Sequence, residues 1–142
     1  MANVRYFEDV KVGDEIPPLT KDPVTETQLV RYAGASGDFN PIHTVHRVGE
    51  EADFGGVIAH GLLIMGFVGQ AITQWIPNRH LKKFHVRFMG VTRPMDVITV
   101  TGKIIRKIAE ENRIECDVEA RDQKGALKVK GSFEAELPSK GH

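Results

Sequence analysis

The chain has 142 residues, a length that fits one domain with its own core, and residues 1–142 are read as a single unit. Hydrophobic residues make up 41% and charged residues 27%, an ordinary globular composition. The 19 Lys plus Arg balance the 19 Asp plus Glu, which argues against nucleic acid or an anionic membrane as the main partner.

Cys116 is alone, so neither an internal disulfide nor a Cys-based zinc site can form. Met1 to Val10 lacks the apolar run of a signal peptide. The longest apolar stretch, Leu62 to Ile76, is interrupted by Gln70, Thr73 and Gln74 and is too short and polar to span a membrane. These features together predict a reduced, cytoplasmic setting.

In chain order, Phe7 to Asp14 reads as a short irregular strand ending in a turn. Thr25-Glu26-Thr27-Gln28 reads as a capping box that opens a helix with Leu29, Val30, Tyr32 and Ala33 on its apolar side. That helix stops between Gly34 and Gly37. A loop follows, Asp38-Phe39-Asn40-Pro41-Ile42-His43, in which Pro41 fixes its own φ and steers Asn40 away from helical geometry. Arg47-Val48-Gly49-Glu50-Glu51 reads as irregular. Leu62 to Ile76 is apolar nearly all round, the mark of a buried helix.

The second half alternates. Phe84, Val86 and Phe88 interleave with His85 and Arg87. Val97 to Ile108 is β-branched at its start. Ile114, Cys116, Val118 and Ala120 interleave with charged residues, and Ala126 to Leu137 alternates less cleanly. Glu110-Glu111-Asn112 and Gln123-Lys124-Gly125 are the turns between them, and the tail from Pro138 to His142 reads as frayed. Helices followed by strands of about ten residues predict an α+β fold, an antiparallel sheet wrapped around one long buried helix.

Asp38 and His43 share one short, stiffened loop, and together they offer an acid and a base near neutral pH. Asn40 adds an amide that can orient a ligand or a water. The plainer reading is that Asp38 and Asn40 serve only their own backbone. His60-Gly61 opens the apolar helix, where free N–H groups can stabilise a developing oxyanion and Gly61 permits close approach. A metal set of Asp38, His43, His46 and His60 is conceivable, but acid–base chemistry here needs no metal and none is expected. Arg79, Lys82 and Lys83 read first as a solvated charged face.

The run Tyr32-Ala33-Gly34-Ala35-Ser36-Gly37-Asp38-Phe39-Asn40-Pro41-Ile42-His43 closely resembles the signature of MaoC-like (R)-specific enoyl-CoA hydratases. Ala59-His60-Gly61-Leu62 is similar to that family's second motif, and Phe7 to Asp14 to its opening. The resemblance implies a hot-dog fold, with Asp38 and His43 as the catalytic pair and the Gly61 N–H in the oxyanion hole. It further implies reversible hydration of an enoyl thioester to the (R)-3-hydroxyacyl thioester, on coenzyme A or an acyl carrier protein, with no cofactor beyond the substrate itself. His43 is read as the base. Asp38 is read as the α-carbon proton donor, a role that calls for burial to keep its proton. The reverse assignment stays open. Two departures stand out: Val45, where many relatives carry Asp, and the irregular 47–51 stretch, where they often carry a helix.

Around that pair, Asn40, His60, Gly61, Leu62, Met65 and Gly69 are expected to meet substrate. Leu62, Met65, Gly69 and Ile72 recur at helical spacing on one face. A glycine at 69 either packs the helix closely on the sheet or leaves room for the acyl chain. An open sheet edge and a partly uncovered apolar helix would be a liability in a monomer, so a homodimer is expected. Other readings of the site are an acyl-carrier dehydratase of fatty-acid synthesis, a hot-dog thioesterase and a non-catalytic acyl-binding subunit.

Overall fold

The alternation in the second half folds as four long strands in the computed structural model, which describes residues 2–141. They are β2 (Leu81–Phe88), β3 (Thr99–Ile108), β4 (Arg113–Arg121) and β5 (Leu127–Glu136), of 8, 10, 9 and 10 residues. A two-residue strand that the sequence pattern does not announce, β1 (Leu19–Thr20), joins the edge through Leu19 opposite Val100. The sheet is antiparallel throughout, in the order β1-β3-β4-β5-β2. Register follows the pattern. Ile114, Cys116 and Ala120 on β4 face the same way as their partners Ala135, Phe133 and Val129 on β5, and all six are buried. The β3–β4 turn needs one left-handed residue, which Asn112 supplies at φ 49.

In the hollow of the sheet lies α3 (Gly61–Trp75), packed against β3, β4 and β5. Leu63, Ile64, Phe67, Val68, Ala71, Ile72 and Trp75 are its buried residues. Each large apolar side chain so buried contributes roughly 1.5–3 kcal/mol. This is the hot-dog arrangement. The helix is not buried all round, however. Leu62 is 57% exposed, Gly66 is exposed, and Met65 and Gly69 are half-buried. Nor do Leu62, Met65, Gly69 and Ile72 share one environment, because Ile72 is wholly buried.

The first helix, α1 (Glu26–Ser36), starts and stops where its sequence dictates. The Thr25 hydroxyl accepts the Gln28 N–H at 3.1 Å, and Gly37 ends the helix in the left-handed region at φ 77. The stretch read as irregular is instead a short helix, α2 (His46–Glu51). Pairs of side chains one turn apart, His46–Glu50 and Arg47–Glu51, both at 3.2 Å, line its surface. Gly49 is required there, since a Cβ would fall 1.8 Å from the Gly56 carbonyl oxygen. A close approach of two backbone segments leaves no periodic trace, which is why the sequence hides this helix.

Two terminal expectations also change. Phe7–Asp9 forms a 3-10 turn rather than a strand, and Asp14 closes the following turn by accepting the Lys11 N–H at 2.8 Å. Backbone bonding to the sheet begins at Gly13 and Asp14, which bond Ile104 at 2.7 and 2.9 Å, and continues at Glu15 and Ile16, opposite Lys103 and Gly102. The tail is tied down, not frayed, over Pro138 to Lys140. Phe7 donates to the Pro138 carbonyl at 2.9 Å, Ser139 donates to Glu8, and the Lys140 ammonium reaches Asp9 at 2.7 Å. His142 lies outside the described residues. Among the described residues no helix is long and apolar enough to cross a membrane.

Candidate active site

The loop after α1 folds through its own side chains. Ser36 Oγ accepts the Asp38 N–H at 3.1 Å, Asp38 Oδ1 accepts the Asn40 N–H at 3.2 Å, and Asn40 Oδ1 accepts the Ile42 N–H at 3.1 Å. Pro41 then begins a 3-10 turn that ends at His43. The backbone-serving reading of Asp38 and Asn40 is thus correct, and it leaves chemistry to spare. Asp38 Oδ2 is not used by the turn and stands 3.7 Å from His43 Nε2. With the oxygen of Asn40 engaged, its exposed amide nitrogen is the group left to meet a ligand.

A second segment, 57–60, locks onto this loop. Ile58 donates to the Ile42 carbonyl at 3.2 Å, and His43 Nδ1 lies 2.8 Å from the Ile58 carbonyl oxygen. A carbonyl can only accept, so this contact assigns the proton of neutral His43 to Nδ1 and turns the Nε2 lone pair toward Asp38. His60 Nε2 donates to the Asp38 carbonyl at 3.2 Å. The rings of His60 and His43 stack at 3.8 Å and 23°, and Tyr32 meets His60 edge-on at 4.8 Å. Burial holds His60 below the usual imidazole range. The Asp38 carbonyl opposes that shift, and the charge of a protonated His43 adds to it. At 1% exposure His60 sits behind the pair, not on the open side where a ligand would lie.

His43 is well covered, with 12% of its side chain exposed, whereas Asp38 keeps 49%. The burial expected of a proton-donating Asp38 is therefore not supplied by this chain alone. Beyond the pair, α3 begins at Gly61, and the His60 side chain makes no capping bond there. The Leu63 N–H turns back to the His60 carbonyl at 3.1 Å, which leaves the N–H groups of Gly61 and Leu62 to an outside acceptor. A Cβ at Gly61 would stand 3.1 Å from the Phe88 ring, so only glycine keeps this amide approachable without moving Phe88. From Gly61, the residues Leu62, Met65 and Gly69 run along the uncovered flank of α3 beside β2. A Cβ at Gly69 would make an ordinary contact with Phe84 at 3.6 Å, and one at Gly66 would meet nothing within 4 Å. Neither glycine is demanded by close packing within the chain.

Asp38, His43 and His60 each bring a donor atom within 4.8 Å of the others. The two rings stack, and each already spends one nitrogen on a carbonyl. His46 pairs with Glu50 instead of joining them. Within this set Asp38 Oδ2 and His43 Nε2 face each other at 3.7 Å, beside the start of α3. A cavity of about 470 Å³ lies elsewhere, on the outer face of the sheet among Glu15, Lys103, Asp117 and Lys130. It contains neither Asp38 nor His43. Sequence reasoning missed the Ile58 carbonyl, which no side chain announces, and the part that Tyr32 plays against His60.

Comparison with known proteins gives a consistent result. The family model described as MaoC like domain matches residues 10–124. An (R)-specific enoyl-CoA hydratase from Rhodospirillum rubrum is 30% identical over 97% of this chain and 95% of its own length. A 3-hydroxybutyryl-CoA dehydratase from Methylorubrum extorquens is 29% identical over 78% of this chain and 70% of its own. Among solved structures, the unliganded R-hydratase from Pseudomonas aeruginosa superposes with a TM-score of 0.84 at 25% identity, covering 95% of this chain and 86% of that one.

Proposed function

The chain belongs to the MaoC-like family of hydratases and dehydratases, and from that premise we propose that Asp38 and His43 hydrate trans-2-enoyl thioesters to (R)-3-hydroxyacyl thioesters, or run the reverse dehydration. The observation that carries this reading is the meeting of Asp38 Oδ2 and His43 Nε2 at 3.7 Å beside the free start of α3.

Water is too weak a nucleophile to attack the β-carbon unaided. His43, with its Nδ1 proton held on Ile58, presents Nε2 to take the proton of that water. The thioester carbonyl, placed at the Gly61 N–H, gains negative charge as the C–O bond forms. Asp38 then delivers a proton to the α-carbon, and dehydration reverses each step. Bound substrate and a second copy of the chain are expected to cover the exposed side of Asp38. The roles of acid and base can exchange with the direction of the reaction.

The reaction needs no metal or redox cofactor, and 1–142 acts as one domain. The proposed setting is cytoplasmic and reduced. Cys116 suits it, because burial pushes its thiol up to about 12 and leaves it inert. The acyl carrier is coenzyme A or a carrier protein. One assay tests the proposal: incubation with a four-carbon trans-2-enoyl-CoA, followed by chiral analysis of the product. The expected outcome is loss of the enoyl absorbance with formation of the (R)-3-hydroxyacyl thioester. Release of free thiol instead would identify a thioesterase, and binding without turnover an acyl-binding subunit.

A further inference from the structure

His60 is buried, polar and incompletely satisfied, and the proposed mechanism gives it no step. It lies immediately before α3, where a Ser, Thr, Asp or Asn would cap the helix, yet its ring makes no capping bond. Its Nδ1 is buried without a hydrogen-bond partner among the described residues. An unpaired buried acceptor costs roughly 1–3 kcal/mol. A phenyl ring would fill the same space without that cost, so the demands of folding alone do not select histidine here.

The interactions of the His60 ring all reach the site or a residue beside it among the described residues. Its Nε2–H holds the Asp38 carbonyl at 3.2 Å, its face stacks on His43 at 3.8 Å, and Tyr32 of α1 presses on it edge-on at 4.8 Å. One ring therefore grips the backbone of one member of the pair and the side chain of the other. We infer that His60 is a positioning residue: it sets the separation of Asp38 and His43 from behind and makes no contact with substrate. The inference rests on the acid–base reading of that pair. Burial supports it by keeping the ring neutral, and a neutral ring can remain stacked when His43 takes up a proton, whereas two imidazolium rings in contact would repel.

Two replacements divide the grip. His60→Phe keeps an aromatic face and loses the bond to Asp38, and His60→Gln keeps a donor near the Nε2 position and loses the face. On a four-carbon enoyl-CoA, His60→Phe is expected to lower kcat about 10- to 100-fold, the size of effect that follows from displacing a reacting group by an ångström or less. KM should stay within about twofold, because a binding role would move KM first. The melting temperature should hold, and His60→Gln should recover part of the lost kcat. A rise in KM with kcat preserved would make His60 a substrate contact and overturn the inference. So would a fall in melting temperature with kcat preserved, which marks a structural filler.

A second measurement needs no substrate. The ring signals of His43, followed by NMR across a pH titration that also includes Tyr32, Asp38 and His60 as its charged or titratable neighbours, should shift in both variants. Unchanged His43 signals would overturn the inference even if the wild-type chain proved to catalyse nothing. Absence of turnover by the wild type would instead count against the hydratase reading alone.

Discussion

At the scale of single residues, Asp38→Asn and His43→Ala each remove one half of the acid–base pair, and each is expected to cut hydration by at least ~10²-fold with the fold intact. Near-normal turnover in either variant would dismiss the assignment. The sequence exposes this pair because its loop is folded by local side-chain chemistry: Asp38, Asn40 and Pro41 shape their own turn. The burial of His60 is not legible in the same way, since it depends on backbone pairing between Ile42 and Ile58, which any residues could supply. A second residue-scale prediction concerns Asp122, in the β4–β5 turn. Burial works against its ionisation, but the N–H groups of Ala126 and Lys124 and the Lys128 ammonium outweigh it, so its carboxyl sits below the usual range. A carboxylate depressed in the fold stabilises above its unfolded value of about 3.9 and loses that advantage as the pH falls through the folded value. Asp122→Asn keeps an oxygen for both N–H groups but loses the charge and the Lys128 pair, so it should lower stability at pH 7. Urea unfolding of both proteins at decreasing pH should show the gap closing in acid, and a constant gap would place the cost elsewhere.

At the scale of elements, the strands were readable because period-two alternation matches one buried and one exposed face, as in Ile114 to Ala120. The helices were readable where caps marked them, at Thr25 and Gly37. The sequence pattern gave no sign of β1, of α2, or of the half-open state of α3. Each depends on what another part of the chain places alongside, such as Gly56 against Gly49. The glycines of α3 carry a prediction of their own. A glycine within a helix costs about 1 kcal/mol relative to alanine, and neither Gly66 nor Gly69 recovers that cost through close packing in this chain. If Gly69 leaves room for the acyl chain, Gly69→Leu should retain activity on a four-carbon enoyl-CoA and lose it on six- and eight-carbon substrates. Equal loss on all three lengths, together with a lower melting temperature, would return Gly69 to a packing role.

At the scale of the whole molecule, β2 is an edge strand that ends at Phe88, 51% exposed, and the flank of α3 beside it shows Leu62 at 57% exposure. Edges and apolar strips of this kind invite pairing. A homodimer that joins two sheets and covers the open side of Asp38 is the expected assembly. Light scattering at micromolar concentration should report twice the chain mass, and Gly66→Arg, at a position where a Cβ would meet nothing within 4 Å in the chain, should shift it toward monomer. A fully active monomer would refute the arrangement. Phe7 is bonded to Pro138, and Glu8 and Asp9 hold Ser139 and Lys140, so the backbone enters and leaves the fold at one place. The order in which the helical and stranded halves are synthesised is then incidental to the shape they reach together. A circular permutant that opens at Arg79, with the old ends joined by a short flexible linker, should fold to the same sheet and keep its chemistry.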